Sequence, residues 1–176
     1  MINSKPNNKN YHQGNYIPKN RDKVIKFNNE GGIYYRSSLE YRMMIFLDNS
    51  DKVKKWGAEC ISIPYQLTHY ESNGDINLKS HTYYSDFYYE LESNNEIRRI
   101  IVEVKPESDY KDVLLLQEKK FEVPDNPTIK RLKNLEYRLK MAQKNLKKWE
   151  TMIKFCDKKG WEFIVITDST LKKLGV

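Results

Sequence analysis

Ile100-Ile101-Val102-Glu103-Val104-Lys105-Pro106 is the stretch on which the fold turns. A run this rich in Ile and Val reads as a strand. Its side chains alternate, so Ile101, Glu103 and Lys105 share one face and Ile100, Val102 and Val104 the other. A strand so apolar rarely carries a carboxylate and an ammonium on one face unless that face has polar work. Sixteen residues separate Glu103 from an earlier carboxylate in Ser85-Asp86-Phe87. A strand bearing Asp86 would set it beside Glu103. Two hard carboxylate ligands and a lysine suit Mg²⁺- or Mn²⁺-assisted attack of water on a phosphodiester, in which the lysine orients the water or stabilises developing charge. Short acidic motifs also recur by chance, so the rest of the chain has to carry the reading.

The chain has 176 residues and a formal charge of +7. That length fits one domain with a sizeable core. The charge is unevenly placed. Residues 1–30 hold six basic and two acidic residues, 31–110 nine and thirteen, and 111–160 fourteen and seven. An acidic section with the carboxylate motif is thus flanked by basic sections, as expected of a metal-carboxylate centre with separate phosphate-binding surfaces. Cys60 and Cys156 lie in apolar settings and read as reduced core residues; no CxxC or His/Cys cluster suggests zinc. No apolar run reaches 18 residues and no signal-peptide pattern is present. The expectation is a soluble, cytosolic protein without a membrane partner.

Residues 1–30, rich in Asn, Lys, Gly and Pro, read as an irregular basic arm, leaving 31–176 as the folded domain. Ser37 or Ser38 caps an expected helix to about residue 49, with Glu40 in its first turn and Leu39, Met43, Phe46 and Leu47 as its buried stripe. Cys60–Tyr65 reads as a strand, Asn73-Gly74 as a turn, and His81–Leu91 as an aromatic strand. Ser93-Asn94-Asn95 turns the chain into the strand 97–105. The three prolines in 106–128 suggest a loop or insertion. From Ile129 to Lys159 there is no Gly or Pro. Leu132, Leu135, Leu139, Ala142, Leu146, Trp149, Ile153 and Cys156 make one helical seam, expected to pack on the sheet, with Gly160 as its stop. Phe163–Ile166 reads as a buried strand, and Asp168 as the cap of a short last helix. The order is α-β-β-β-α-β.

That order, with Asp86 on the second core strand and Glu103 and Lys105 on the third, resembles the PD-(D/E)xK nuclease superfamily, with Ser85 in place of the usual proline. The fold class implied is a mixed-sheet α/β domain with a restriction-endonuclease-like core. Further motifs narrow the resemblance: Gly14-Asn15-Tyr16-Ile17-Pro18-Lys19-Asn20, Tyr35-Arg36-Ser37-Ser38-Leu39-Glu40, Trp56-Gly57-Ala58-Glu59, Tyr84-Ser85-Asp86-Phe87, Asn145-Leu146-Lys147-Lys148-Trp149 and Gly160-Trp161-Glu162-Phe163. In order and over nearly the whole chain outside 107–140, they resemble the head completion nucleases of myovirus-type tailed phages. The endonuclease subunit of heteromeric transposases is similar too.

The resemblance implies a DNA endonuclease that processes or secures the packaged DNA end before the tail joins. It would meet double-stranded DNA and phage head or portal-vertex proteins, in the host cytoplasm during assembly or in the virion head. It also implies Glu40 as a third, helix-borne carboxylate that completes the metal site with Asp86 and Glu103. Arg36, His81, Lys144, Asn145, Lys147 and Lys148 are the candidate DNA contacts. Tyr83, Tyr84, Tyr88 and Tyr89 read as half-buried strand aromatics with faces that bases can stack on. Trp149 reads as core. Two alternatives stay open: a transposase-type or junction-resolving endonuclease, and a structural DNA-end-binding capsid protein with little catalysis.

Overall fold

The computed structural model describes residues 12–25, 31–70 and 75–176. Its first segment is not irregular. Gly14–Tyr16 (β1) pairs antiparallel with Ile33–Tyr35 (β2), and a 3-10 turn covers Arg21–Lys23. Gly32 makes the pairing possible. It has a φ of +83°, and a side chain there would stand 2.6 Å from the Tyr16 carbonyl oxygen. Tyr16 is buried in the core, which the composition of the arm did not suggest.

Ser38–Asn49 (α1) starts where the sequence predicts. The Ser37 hydroxyl accepts from the Glu40 amide, and the Glu40 carboxylate accepts from the Arg36 amide and the Ser37 hydroxyl. Such a reciprocal cap satisfies helix N–H groups that would otherwise lack partners. Met43, Met44 and Leu47 are buried, and Leu39 and Phe46 pack half-buried beside them.

Val53–Ala58 (β3) is a strand the sequence reading omits. Two lysines and a glycine dilute its pattern, but Val53 and Trp56 are fully buried. The expected first core strand at 60–65 belongs elsewhere. Ser62–Tyr70 (β4) and Ile76–Tyr84 (β5) form their own antiparallel pair. The Asn73-Gly74 turn lies outside the described residues. The predicted strand 81–91 is in fact two, broken at Ser85-Asp86, with the second being Phe87–Ser93 (β6). Asn94 and Asn95, both at positive φ, turn β6 into Glu96–Lys105 (β7).

The region expected to be a loop contains a helix, Glu107–Gln117 (α2). Its apolar periodicity is weak because Asp112, on its inner side, is buried against Arg138. Ile129–Lys159 (α3) is one continuous helix, capped by Thr128 and ended by Gly160 in the left-handed region. Glu162–Thr167 (β8) follows, and then Asp168–Lys173 (α4). The cap of α4 is Thr167, not Asp168; the Asp168 carboxylate accepts from the Glu107 amide at 2.7 Å instead.

The main sheet is mixed, in the order β3-β6-β7-β8, antiparallel except for the parallel β7–β8 pair. The alternation in β7 sorts its two faces. Ile100, Val102 and Val104 pack with Met43, Met44, Leu47 and Leu171 under α1 and α4. Ile101 packs with Met152 and Cys156 of α3 and with Ile63, Tyr65 and Tyr83 of the β4–β5 hairpin. β8 is an edge strand and only half-buried from Phe163 to Val165. Along β3, the Ile25 amide donates to the Trp56 carbonyl at 2.7 Å, so the chain around Val24 covers what would be the other edge.

The predicted seam on α3 is only partly core. The buried line is Ala142, Asn145, Trp149, Met152 and Cys156, while Leu132 is 42 % exposed and Ile153 47 %. The N-terminal half of the helix runs past the sheet, where α2 is its partner. The 3–4 spacing of apolar residues identified a helix but not how far the sheet beneath it extends.

Candidate active site

Asp86 and Glu103 meet because β6 and β7 are in register. Phe87 lies opposite Val102, so the preceding Asp86 comes level with Glu103. The Val104 amide donates to Asp86 Oδ2 at 2.7 Å and fixes that carboxylate at the end of the strand pair. Lys105 Nζ is 2.7 Å from Glu103 Oε1 and 3.9 Å from Asp86 Oδ2. The three residues predicted from spacing are therefore one cluster.

Ser85, where the motif usually has proline, is fully buried, and its amide donates to the Ile61 carbonyl at 3.0 Å. Proline has no N–H to make that bond. The departure from the motif thus extends the β4–β5 ladder by one rung beyond the Ser62–Tyr84 pair, up to the residue before Asp86.

The electrostatics are those of two carboxylates held in a dry corner. Burial and then the Glu103 charge push the Asp86 carboxyl up to about 7, against the pull of Lys105 and the Val104 amide. Burial works against the Lys105 ammonium, but Glu103 and Asp86 outweigh it and hold its pKa above the ordinary lysine value. Burial lowers the Lys148 pKa, with the Lys105 and Lys144 charges acting in the same direction and those of Glu103 and Asp86 opposing it. Lys148 therefore belongs to the electrostatic surroundings of the carboxylate pair.

Glu40 stands apart. Its two oxygens are engaged in the α1 cap, and it reaches Asp86 only through its charge. Among the described residues, no three His, Cys, Asp or Glu side chains cluster tightly enough to hold an ion by themselves. The carboxylates that meet at the centre are Asp86 and Glu103. Two carboxylates completed by water and substrate phosphate are the usual way a protein holds Mg²⁺, and a cation beside Asp86 would relieve the repulsion that helps to raise its pKa. The residues fit such an ion.

The other predicted contacts divide. Asn145, on the buried line of α3, lines a cleft of about 260 Å³ with Pro106, Asp109 and Arg138, and so lies next to the end of β7. Lys148 lies one turn on, its Nζ 4.8 Å from the centre of the Tyr83 ring. Lys147 lines a cleft of about 300 Å³ between α3 and β4 and lies 4.0 Å from Glu150; Lys144 is exposed on the same helix. His81 is exposed on β5, its ring 5.5 Å from that of Tyr65. Arg36 pairs with Glu59 on the surface and does not join the cluster.

Tyr83 is the residue whose part the sequence reading missed. It is 1 % exposed, and its hydroxyl donates to Glu103 Oε2 at 2.6 Å. Burial and the Glu103 charge raise its pKa, so it remains a donor. Standing with Tyr84, Tyr88 and Tyr89 in one aromatic stretch, it gives no signal of its own in the sequence. Only the register of the hairpin picks it out.

A relative, the head completion nuclease of Enterobacteria phage T4, is 24 % identical over 165 residues, covering 93 % of this chain and 96 % of its own. The family described as TnsA-like endonuclease, N terminal, matches residues 50–168, which include Asp86, Glu103, Lys105 and Lys148 but not α1. With most of its length inside that match, the chain belongs to the TnsA-like endonuclease N-terminal family.

Proposed function

We propose that this protein is a divalent-metal-dependent DNA endonuclease of a tailed phage. It would act in head completion after packaging, on the end of the packaged DNA and before the tail joins. The observation that carries the chemistry is the Asp86–Glu103–Lys105 cluster at the end of the β6–β7 pair. The near end-to-end relation to the head completion nuclease supports the setting. α1, β3, β6, β7, α3 and β8 follow the αβββαβ order of a restriction-endonuclease-like core. Residues 31–176 are read as that unit, preceded by the basic arm 1–30, whose part from Gly14 to Ile25 docks on it.

Asp86 and Glu103 would hold Mg²⁺ or Mn²⁺, with Glu40 adding negative charge from the helix start. The ion would polarise a phosphoryl oxygen and make a bound water more acidic. Lys105 supplies a fixed cation for the charge that develops as water attacks phosphorus and the ester oxygen leaves. Lys148 and Asn145 border the place where the phosphate would lie, and Lys144 and Lys147 extend the basic face along α3. Among the described residues, no helix is long and apolar enough to cross a membrane.

The family match favours a second reading, a transposase-type endonuclease that cuts with partner subunits. Purified protein incubated with supercoiled plasmid tests the leading one. Nicked or linear product with Mg²⁺ or Mn²⁺ and none with EDTA is expected of the protein alone. Cutting that requires added transposase subunits would favour the second reading, and metal-independent cutting would remove the proposed centre.

The DNA surface has its own test. Lys144, Lys147 and Lys148 lie on the helix that covers the Glu103 face, while Lys172 and Lys173 lie on α4, which packs with α1 on the other face. Reversing the first three charges is expected to weaken duplex binding more than reversing the other two. It should also flatten the log Kd against log salt slope by about 0.9 for each phosphate that is no longer neutralised. Equal weakening in an anisotropy titration would put the DNA elsewhere.

A further inference from the structure

We infer that Tyr83 is a positioning residue of this centre: its hydroxyl fixes the Glu103 carboxylate for the divalent ion while its ring seats the Lys148 ammonium beside it. The inference rests on the reading of the Asp86–Glu103 pair as an ion site. Glu103 is held by two donors from two different sheets. Lys105 Nζ on β7 reaches Oε1 at 2.7 Å, and the Tyr83 hydroxyl on β5 reaches Oε2 at 2.6 Å. The carboxylate plane is therefore set by the hairpin as much as by its own strand.

Packing holds the phenol in turn. The Tyr65 ring meets it edge-on at 6.5 Å, and Ile63, Met152 and Cys156 share its cluster. Lys148 Nζ lies 4.8 Å from the ring centre, within the range in which a partly desolvated ammonium is attracted to an aromatic face. One side chain thus ties together a carboxylate from the sheet, a cation from α3 and a hairpin that belongs to neither. Ligating carboxylates depend on such outer hydrogen bonds, and removing one typically costs about 10–100-fold in metal affinity or activity.

Tyr83→Phe separates the two parts, because it removes the hydroxyl and keeps the ring. Calorimetric titration of the full-length protein with Mn²⁺ alone should show affinity lowered about 10-fold or more. Duplex binding in EDTA should stay within about twofold of wild type, since the ring face that seats Lys148 remains. In plasmid cleavage, kcat should fall with KM little changed. Lys148→Met should do the reverse, weakening duplex binding in EDTA without weakening Mn²⁺ binding. Wild-type Mn²⁺ affinity in Tyr83→Phe would overturn the assignment. So would failure of that variant to fold, because the hydroxyl would then be a structural group. If the wild-type protein itself binds no Mn²⁺, the ion site fails first, an outcome distinct from a Tyr83→Phe variant that binds as well as wild type.

Discussion

Asp86→Asn and Glu103→Gln should each abolish DNA cleavage and weaken divalent-ion binding together, with the fold intact. Removing ligand charge weakens a hard cation site, and the two carboxylates at the end of the β6–β7 pair are the ligands proposed for the ion. Lys105→Ala should part these effects. It leaves both carboxylates and removes the cation 2.7 Å from Glu103, so ion binding should survive or tighten. Turnover should still fall about 10²-fold or more, the scale of losing one electrostatic interaction with the transition state. Glu40→Gln should lie between, because its oxygens serve the helix cap and only its charge reaches Asp86. Burial and the Glu103 charge push the Asp86 carboxyl up to about 7, and the ion needs its ionised form, so wild-type affinity should rise from pH 6 to pH 8. Mn²⁺ calorimetry beside plasmid nicking decides these points. Full cleavage by folded Asp86→Asn or Glu103→Gln protein would mean the chemistry lies elsewhere.

The largest effect on stability is expected at Asp48, outside the site. This fully buried carboxylate near the end of α1 accepts from the Tyr16 hydroxyl at 2.6 Å and from the amides of Lys19 and Asn20 at 2.7 and 3.0 Å. It anchors the N-terminal segment to the core. Asp48→Ala leaves those three donors without their acceptor. Hydrogen bonds to a charged group are worth about 1.5–3 kcal/mol each and are not additive, so a loss of about 3–5 kcal/mol is expected. In a chain of this size that lowers Tm by roughly 6–20 °C.

The pH dependence follows with its sign. Burial raises the Asp48 pKa, but the hydrogen bonds from Tyr16, Lys19 and Asn20 outweigh it and hold it below the ordinary value of 3.8. A depressed folded pKa contributes stability that is full above the unfolded value and is lost as pH falls through the folded one. Wild type should therefore lose stability below about pH 4 more steeply than Asp48→Ala. Parallel acid melts of the two proteins, or a variant as stable as wild type at pH 7, would refute the anchor.

Several features were determined by sequence alone, because they are local or periodic. Ser37 and Glu40 mark the start of α1, since a cap is written within four residues. Gly160 ends α3, since few other residues accept its φ. The alternation in 100–105 assigned each side chain of β7 to a face, and both faces are packed as that alternation requires. The Asp86, Glu103 and Lys105 cluster was legible because a strand pair converts spacing along the chain into proximity across it.

Tertiary structure decided the remainder, because those features depend on contacts between distant segments. β3 is a strand by virtue of its pairing with β6 and its buried Trp56, despite the adjacent Lys54 and Lys55 that blur its alternation. α2 hides behind an Asp112–Arg138 pair that breaks its apolar pattern. The segment around Tyr16 reads as part of an irregular arm until the Tyr16 hydroxyl finds Asp48, 32 residues away. Tyr83 reads like any strand tyrosine until the β4–β5 register and α3 bring its hydroxyl to Glu103 and its ring to Lys148. The sequence named the candidate groups of the site, and only the packing of a separate hairpin determined what holds them in place.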